Sequence, residues 1–431
     1  MPTDEPVAVV GGGWSGIATA WYLKNAGVDV VLLDQGESLG GRSASQSLGP
    51  RTVTAGGKNI GQQYHHFRQF VAGLGGFDFE YFGVNTSRIE DGRIQTFDKK
   101  DRLWNSYAFL RKAGARDVVR LCRMILRTRR DSANRFIGGP YFRGLADAAG
   151  DPDLSEYFGE YLRSVLVRPM VLRMNGAEPE ESFLGTFGSN LGMFLDSFEQ
   201  LTGGFEPLFK TFGAQVPVRL GTTVRGLVGE GSRIAGLRYR TSDGTEGELR
   251  TSAVVLAIPA GAAASLLEDQ APELAAELRG IRYNPVAVVL AEYDGPVFDE
   301  RVRALVLPKG GPLVNAGSYG VDDRHIVRYT FSGVEARALL AEGVSSDRLL
   351  AVGETELGRY IPVRRQVVDS AARVWSDGLC SYSRRHEARL ARIGQLLRGC
   401  PGLHLTGDYW TGSSIEACFR TARQTVTEGW S

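Results

Sequence analysis

Three glycines near the start of the chain have the spacing of a dinucleotide-binding turn. They follow the apolar run Val7–Val10 in the pattern Gly11-x-Gly13-x-x-Gly16, and a helical stretch comes next. Gly11 permits a tight turn, Gly13 lets a pyrophosphate approach the backbone, and Gly16 lets the helix pack close to the sheet. The free N–H groups and positive dipole at the helix N-terminus favour phosphate. The pattern therefore predicts a βαβ unit that binds a dinucleotide.

An acidic residue ends the second apolar run, where this kind of motif needs one. Asp34 lies eighteen residues after Gly16, and its carboxylate is placed to accept hydrogen bonds from a ribose. Trp14 and Ser15 fill the variable positions of the glycine turn, and Gln35 follows the acid. FAD and NAD share this fingerprint, so the residues that come next must decide between them.

The continuation ends in Gly40-Gly41-Arg42. Together with the glycine turn it resembles the FAD-dependent amine oxidase superfamily, which includes monoamine and polyamine oxidases, protoporphyrinogen oxidases and carotenoid-type desaturases. The resemblance implies that FAD is the cofactor and that Arg42, beside Gly41, contacts its pyrophosphate. The alternative interpretation is an ordinary solvated loop arginine.

A second signature of the same superfamily lies near the end of the chain. Residues 402–417 resemble its last strand, its Gly-Asp turn and its final helix. The resemblance implies that Asp408, after Gly407, hydrogen-bonds the ribityl chain of FAD. It also implies that the helix N-terminus, at Ser414 and Ile415, faces the pyrimidine ring of the flavin.

Local pattern supports a helix start at this place. Ser413 and Glu416 have the spacing of a capping box, which predicts that a helix begins here. The dipole of that helix would stabilise negative charge on a reduced flavin.

Other segments are brought to the cofactor by the resemblance alone. Residues 52–61 are similar to the family segment that runs beside the flavin ring, which places Gly57, Lys58 and Asn59 near it. A residue at the position of Val224 contacts adenine through its backbone in the family. A surface turn with a solvated lysine is the alternative for Lys58.

The stretch Arg373–His386 is similar to a pattern of protoporphyrinogen oxidases and desaturases, R-x-W-x-x-x-L-P-x-Y-x-x-G-H. Cys380 replaces the proline and Arg385 replaces the glycine. Tyr382 corresponds to a position that lines the flavin pocket, although a structural tyrosine is the competing interpretation.

Three residues are the candidates for a catalytic role. Tyr382 and Trp410 are expected to form aromatic walls that orient the substrate, and Lys58 to hydrogen-bond it or to steady charge during hydride transfer. Monoamine oxidases have a lysine where this chain has Val288, and a cage tyrosine where it has Ser414. Both differences argue against oxidation of simple primary amines.

These residues predict an FAD-dependent oxidase or desaturase. It would take a hydride from a C–H next to nitrogen, or from a CH–CH unit, of a medium-to-large substrate in specialised metabolism, giving an imine or an alkene. The alternatives are a protoporphyrinogen oxidase or carotenoid-type desaturase, a non-redox flavin-dependent mutase, and a flavin-free prenyl-protein escort. No second glycine fingerprint with a flanking strand and helix occurs, so reduction by NADH or NADPH is not expected.

The length of 431 residues predicts two domains. The expected fold is α/β, with a Rossmann-like FAD-binding domain of the GR2 type and a discontinuous α+β substrate domain. Residues 1–86, 203–270 and 367–431 are assigned to the FAD-binding domain. Residues 87–202, mostly helical, and 271–366, an antiparallel sheet, are assigned to the substrate domain.

Composition narrows the partners and the compartment. A net charge of +1 gives no reason to expect nucleic acid as a partner. No leader and no apolar run of spanning length is visible, and four scattered cysteines suggest no disulfide framework, so a cytoplasmic location is expected. No metal site is predicted. The expected partners are a small-molecule substrate and O₂ as electron acceptor, with the chain a monomer or homodimer.

A basic amphipathic helix is predicted from Phe109 to Arg130.

Overall fold

The computed structural model describes residues 5–81, 86–90, 92–96, 109 and 111–430. In chain order its strands are β1 (Val7–Val10), β2 (Val30–Leu33), β3 (Ser45–Leu48), β4 (Arg51–Thr54), β5 (Ile60–Gly61), β6 (Phe79–Tyr81), β7 (Thr86–Glu90), β8 (Arg93–Thr96), β9 (Phe198–Leu201), β10 (Val218–Arg219), β11 (Thr222–Glu230), β12 (Arg233–Thr241), β13 (Glu246–Arg250), β14 (Ala253–Leu256), β15 (Arg282–Tyr293), β16 (Ala304–Val306), β17 (Leu313–Ser318), β18 (Ile326–Phe331), β19 (Val367–Ser381) and β20 (Leu403–Leu405).

Helices connect these strands. Within the described ranges the α-helices are Trp14–Asn25, His65–Gly73, Ala115–Arg130, Pro140–Ala149, Leu154–Tyr157, Glu160–Leu162, Arg168–Asn175, Phe187–Phe194, Glu206–Gly213, Ala260–Leu267, Pro272–Arg279, Val334–Ala341, Ser346–Gly358, His386–Leu397, Asp408–Thr411 and Ile415–Trp430.

A parallel sheet carries the glycine turn. Its strand order is β10-β2-β1-β14-β20, and β1 pairs in parallel with both β2 and β14. All four residues of β1, β2 and β14 are buried, as expected for strands covered on both faces. The predicted α/β fold with a dinucleotide-type βαβ unit is confirmed.

A second, larger sheet stands opposite. Its order is β19-β15-β18-β17-β16-β7-β8, with antiparallel pairs except between β16 and β7. The sequence assigned residues 367–431 to the FAD-binding domain, but β19 pairs with β15 along most of its length. The sequence boundary is misplaced there, because half-exposed β19 lacks the apolar run that marks a strand of the parallel sheet.

The basic helix is shorter than predicted. Residues 109 and 111–113 are also helical, but Gly114, with a φ of +76°, interrupts the predicted helix, and Ala115–Arg130 begins after it. Leu121 and Met124 anchor it in a helical core that includes Phe142 and Phe187. None of the helices in the described ranges combines the length and apolar character needed to cross a membrane.

Candidate active site

One large cavity lies between the parallel sheet and the seven-stranded sheet. Its volume is about 2070 Å³. The residues that follow β1, β2 and β14, Gly11, Asp34 and Ala257, line one end. Ligands of open α/β sheets bind beyond the carboxyl ends of the strands, and this end of the cavity has that position.

Most residues that the sequence assigned to the cofactor line this cavity, although they come from distant segments. They are Gly11, Gly13, Trp14, Ser15, Asp34, Gln35, Gly41, Arg42, Gly57, Lys58, Asn59, Val224, Gly407, Asp408, Ser414 and Ile415. Gly16 is not among the lining residues.

The glycine turn has the geometry that a phosphate cradle needs. Gly11 has a φ of +110°, which side chains disfavour. A Cβ on Gly13 would meet no protein atom within 4 Å, so the backbone there is open to the cavity. A Cβ on Gly16 would lie 1.8 Å from the Gly11 carbonyl oxygen, which explains its absence from the lining. The following helix has no side-chain cap, so its first N–H groups remain available to an anion.

The Asp34 carboxylate is fixed by backbone donors. Its Oδ2 accepts a hydrogen bond from the Gly12 N–H at 2.5 Å, and its Oδ1 accepts one from the Gly36 N–H at 2.7 Å. The Asp34 side chain therefore connects the turn at Gly12 with the turn at Gly36. These two hydrogen bonds fix its carboxylate in the cavity wall.

A short hydrogen-bond chain ties the glycine turn to the segment expected beside the flavin ring. The Trp14 indole N–H donates to the Ser43 hydroxyl at 2.9 Å, and Ser43 donates to the Gly57 carbonyl at 2.6 Å. The Trp14 ring packs edge-on against Phe67 and Phe205. The wall from residue 14 to residue 57 is thus held as one unit before any ligand binds.

Arg42 and Asp408, which the resemblance assigned to separate parts of FAD, contact each other. Arg42 Nη1 lies 2.6 Å from Asp408 Oδ2, and the Tyr283 hydroxyl donates to Asp408 Oδ1 at 2.7 Å. Burial is the largest single effect and acts to lower the pKa of Arg42, but the charge and hydrogen bond of Asp408, together with Tyr283 and Cys418, outweigh it and raise that pKa. Burial, reinforced by Asp408, raises the pKa of Tyr283. No sequence pattern indicates Tyr283, which lies on β15 far from either signature.

Two further side chains form hydrogen bonds with backbone carbonyl groups of the Gly-Asp turn. The Tyr382 hydroxyl donates to the Asp408 carbonyl at 3.0 Å, and His386 Nε2 lies 2.7 Å from the Tyr409 carbonyl. Burial lowers the pKa of His386 to about 4. Neither Tyr382 nor Trp410 belongs to the described lining of the cavity, so they do not form the expected aromatic walls. His386 was missed as a site residue, although it ends the pattern that identified Tyr382.

Lys58 lies in the cavity wall with little exposure to solvent. Its Nζ donates to Gln200 Oε1 at 2.7 Å and to the Tyr319 carbonyl, and lies 3.4 Å from the centre of the Tyr319 ring. Burial, together with the charge of Arg328, lowers its pKa well below the ordinary value. The solvated surface lysine considered from the sequence does not describe this side chain, which is 7% exposed.

The other end of the cavity is more apolar. Met170, Arg173 and Met174 of one helix, and Leu166 before it, face the same space as β18 and its neighbours in the large sheet. Phe194 lies at this end and is half exposed. The two ends form one continuous space, which places a dinucleotide turn next to an apolar chamber.

The chamber wall also shows where the monoamine oxidase lysine is absent. Val288 lies between Arg373 and Thr330 in a cross-strand row, and both neighbours line the cavity. Val288 itself is buried among Leu48 and Val53. The described side chain at this position is therefore apolar and packed, with no amine to offer.

The start of the last helix follows a different capping pattern from the predicted one. The helix begins at Ile415, and the Ser414 hydroxyl accepts a hydrogen bond from the Ala417 N–H at 3.1 Å. Glu416 instead accepts from the N–H groups of His66 and Phe67, at 3.0 and 3.1 Å. The predicted helix start is confirmed, but the capping box is wrong, because Glu416 satisfies the N-terminus of a neighbouring helix.

Arg385 replaces a glycine of the family pattern and keeps a glycine-like conformation. Its φ is +54°, in the left-handed region, and its N–H donates to Asp151 Oδ2 at 2.6 Å. Asp151 has a φ of +53° and accepts from the Gly185 N–H at 2.8 Å. Arg385 therefore holds a left-handed backbone conformation that a glycine would adopt without strain.

Comparison with known proteins agrees with this geometry. A model of the flavin containing amine oxidoreductase family matches residues 14–428. Coproporphyrinogen III oxidase of Mycobacterium tuberculosis (strain ATCC 25618 / H37Rv) is 25% identical over 452 residues, which cover 99% of this chain and 97% of that protein. Protoporphyrinogen oxidase 1 of Spinacia oleracea, a chloroplastic protein, is 24% identical over 275 residues, 58% of this chain and 46% of the other.

A solved structure shows the same fold. Cyclohexylamine oxidase from Brevibacterium oxydans IH-35A superposes with a TM-score of 0.74 at 16% identity, over 99% of this chain and 98% of the other. The family match begins at Trp14, inside the glycine turn, and runs through the cavity walls to the final helix. This chain belongs to the family of flavin containing amine oxidoreductases and is an oxidoreductase with a flavin cofactor.

Proposed function

We propose that the protein binds FAD and oxidises a medium-to-large organic substrate by removing a hydride from a C–H next to nitrogen or from a CH–CH unit. The observation that carries this proposal is the single cavity of about 2070 Å³, which joins the dinucleotide turn to an apolar chamber. A substrate in that chamber can approach a flavin without passing through bulk water.

The cofactor end fits FAD rather than a single nucleotide. The open backbone at Gly13 and the uncapped helix behind it suit a pyrophosphate, and the held carboxylate of Asp34 suits a ribose. Asp408, Ser414 and Ile415 line the same cavity from the last helix and the turn before it. Val224 lines it through the segment expected to contact adenine.

Bound FAD would accept the hydrogen and electron pair of the substrate C–H bond as hydride, and a proton would leave the neighbouring N–H or C–H to give the imine or alkene. O₂ would then take the two electrons and two protons and leave as H₂O₂. The protein supplies position and electrostatics. Lys58 is a buried donor in the wall beside Gly57 and orients the substrate or steadies charge. Tyr382 fixes the backbone of Asp408 from behind, and Trp410 follows in the same turn.

A porphyrinogen is the substrate candidate that one observation favours. The match to coproporphyrinogen III oxidase extends over 99% of this chain. The cavity is large enough for a macrocycle beside a dinucleotide, and the packed Val288 leaves no lysine at the position used by monoamine oxidases. A chain of this kind would remove hydrogen from the methylene bridges and the ring N–H groups of such a substrate.

Two measurements test the proposal. The purified protein should be yellow and should release intact FAD on denaturation. Coproporphyrinogen should then bleach the flavin under anaerobic conditions, whereas a simple primary amine such as benzylamine should not. A protein that stays colourless after reconstitution with FAD would exclude the cofactor, and bleaching by the amine alone would exclude the substrate candidate.

Variants separate the roles of the candidate residues. Lys58→Ala should keep FAD and lose anaerobic reduction by the true substrate, by an amount of the order of tenfold or more. Tyr382→Phe removes only the hydroxyl that holds the Asp408 carbonyl, so a smaller loss is expected. Arg398→Gln, an exposed change outside the cavity, is the matched control. Unchanged reduction rates in Lys58→Ala and Tyr382→Phe would return both residues to structural roles.

A further inference from the structure

We propose that the substrate carries an acidic group and that Arg173 and Arg328 bind it at the chamber end of the cavity. This inference rests on the proposed function, because it assumes that the chamber holds the substrate. It names the chemical class of that substrate and the two side chains that select it.

Arg173 reaches the cavity from a helix that is otherwise apolar on this face. Met170 and Met174, one turn before and one residue after it, line the same wall. The side chain of Arg173 is exposed, and the surface it exposes includes part of the cavity wall. In the described part of the chain it makes no hydrogen bond and no ion pair. Burial alone lowers its pKa. A guanidinium held among methionines in this way lacks an anion.

Arg328 lines the same cavity from the large sheet. It lies on β18, and its Nη1 donates to the Gly56 carbonyl at 2.6 Å. Among the residues the structure describes, no carboxylate lies within ion-pair distance of it. Burial, with the nearby positive charge of Arg173 adding to it, lowers the pKa of Arg328 to about 10. The positive charge of Arg173 therefore acts unfavourably on Arg328, and no described carboxylate offsets it.

The acidic residues of the cavity do not neutralise this pair. Asp196 is engaged by Arg135 at 3.0 Å, and Asp408 by Arg42 at 2.6 Å. Asp34 is bound by backbone N–H groups at the dinucleotide end. Glu37 and Asp377, the remaining carboxylates of the described lining, are exposed, and neither forms an ion pair with Arg173 or Arg328.

Two guanidinium groups that face one cavity without a carboxylate beside them are unfavourable, and a ligand that brings the negative charge removes that cost. Guanidinium groups bind carboxylates through paired, charge-assisted hydrogen bonds, and they bind phosphates in the same way. The apolar surroundings of Arg173 favour a carboxylate on an apolar body. This arrangement is the reverse of the one that a substrate with a cationic amine would need.

Calorimetry on the FAD-loaded protein tests the inference with three probes of equal chain length: decanoate, decanol and decylamine. Decanoate should bind about tenfold or more tightly than decanol, and decylamine should bind most weakly. Arg173→Gln should weaken decanoate about 10-fold to 100-fold and should leave decanol within about twofold, because only the charged contact is lost.

Controls keep the result specific. Arg398→Gln removes an equal charge from an exposed site outside the cavity and should leave all three affinities unchanged. Arg173→Lys keeps a cation and should recover part of the affinity for decanoate. The flavin spectrum of each sample checks folding and FAD content, which matters most for Arg328→Gln, since that change also removes the bond to Gly56.

Equal affinity for the acid and the alcohol, or a preference for decylamine, in a protein that holds FAD would overturn this inference and leave the proposed function standing. Inorganic phosphate is the competing anion. If it displaces decanoate with an affinity equal to that of decanoate itself, the two arginines form a phosphate site, and the proposal of a carboxylate ligand is overturned. A colourless protein would overturn the proposed function and this inference with it.

Discussion

His386 should make the stability of the protein depend on mildly acidic pH. The ring is 1% exposed, and its Nε2–H donates to the Tyr409 carbonyl. Burial favours the neutral ring in the folded state and outweighs the opposite effect of this hydrogen bond. Its Nδ1 has no partner among the described residues. Burial lowers the pKa of His386 from 6.5 to about 4. At a pH between those two pKa values, His386 is protonated in the unfolded chain and neutral in the folded chain.

The sign and the size follow from proton linkage. Because the unfolded state binds more protons, the free energy of unfolding falls as pH falls from about 6.5 to about 4, and it is insensitive to this group above that range. The shift is worth about 3.4 kcal/mol when complete, at 1.36 kcal/mol for each pKa unit. Between pH 7 and pH 5 the loss is about 1.8 kcal/mol.

Urea unfolding of the wild type and of His386→Gln at pH 7, 6 and 5 measures this loss. Glutamine can place an amide N–H near the Tyr409 carbonyl and does not titrate, so the variant should lose about 1.8 kcal/mol less than the wild type over that range. Other titrating groups contribute equally to both proteins and cancel in the comparison. Parallel pH profiles in the two proteins would refute the reasoning.

Three further predictions can be checked on the same preparations. Asp34→Asn should weaken FAD binding about 10-fold to 150-fold, since a charge-assisted acceptor is lost, and an unchanged dissociation constant would remove Asp34 from the ribose site. NADH and NADPH should not bleach the flavin at a useful rate under anaerobic conditions, and rapid bleaching by either would contradict this. Arg385→Gly should raise the free energy of unfolding by up to about 1 kcal/mol, because the φ of +54° is strained for arginine, and equal or lower stability would show that its side chain compensates.

The sequence predicted the structure best where the conformation of the backbone determines it. The glycine turn, the strand before it and the acid after it follow from local rules, since each glycine answers one steric demand. The start of the last helix was also predictable. Its capping was not, because Glu416 bonds to His66 and Phe67, about 350 residues away in the chain.

Side chains that act through long-range contacts could not be predicted from the sequence. Nothing near Tyr283 or Gln200 indicates that one meets Asp408 and the other Lys58, because only the folded sheets bring them together. Tyr382 belongs to a recognisable pattern, yet its hydroxyl points to a backbone carbonyl and not into the cavity. Sequence patterns predicted which segments form the site, but tertiary packing determines which of their side chains face the cavity.

The place of β20 in the parallel sheet has a consequence for biosynthesis. This strand, Leu403–Leu405, pairs with β14, and the residues just after it supply Asp408, Ser414 and Ile415 to the cavity wall. A chain emerging from the ribosome therefore exposes its glycine turn long before the opposite wall exists. Cofactor capture must wait until the chain has been synthesised beyond residue 415, since these contacts join residues far apart in sequence. Deleting residues 402–431 would abolish the holoprotein and not merely weaken it.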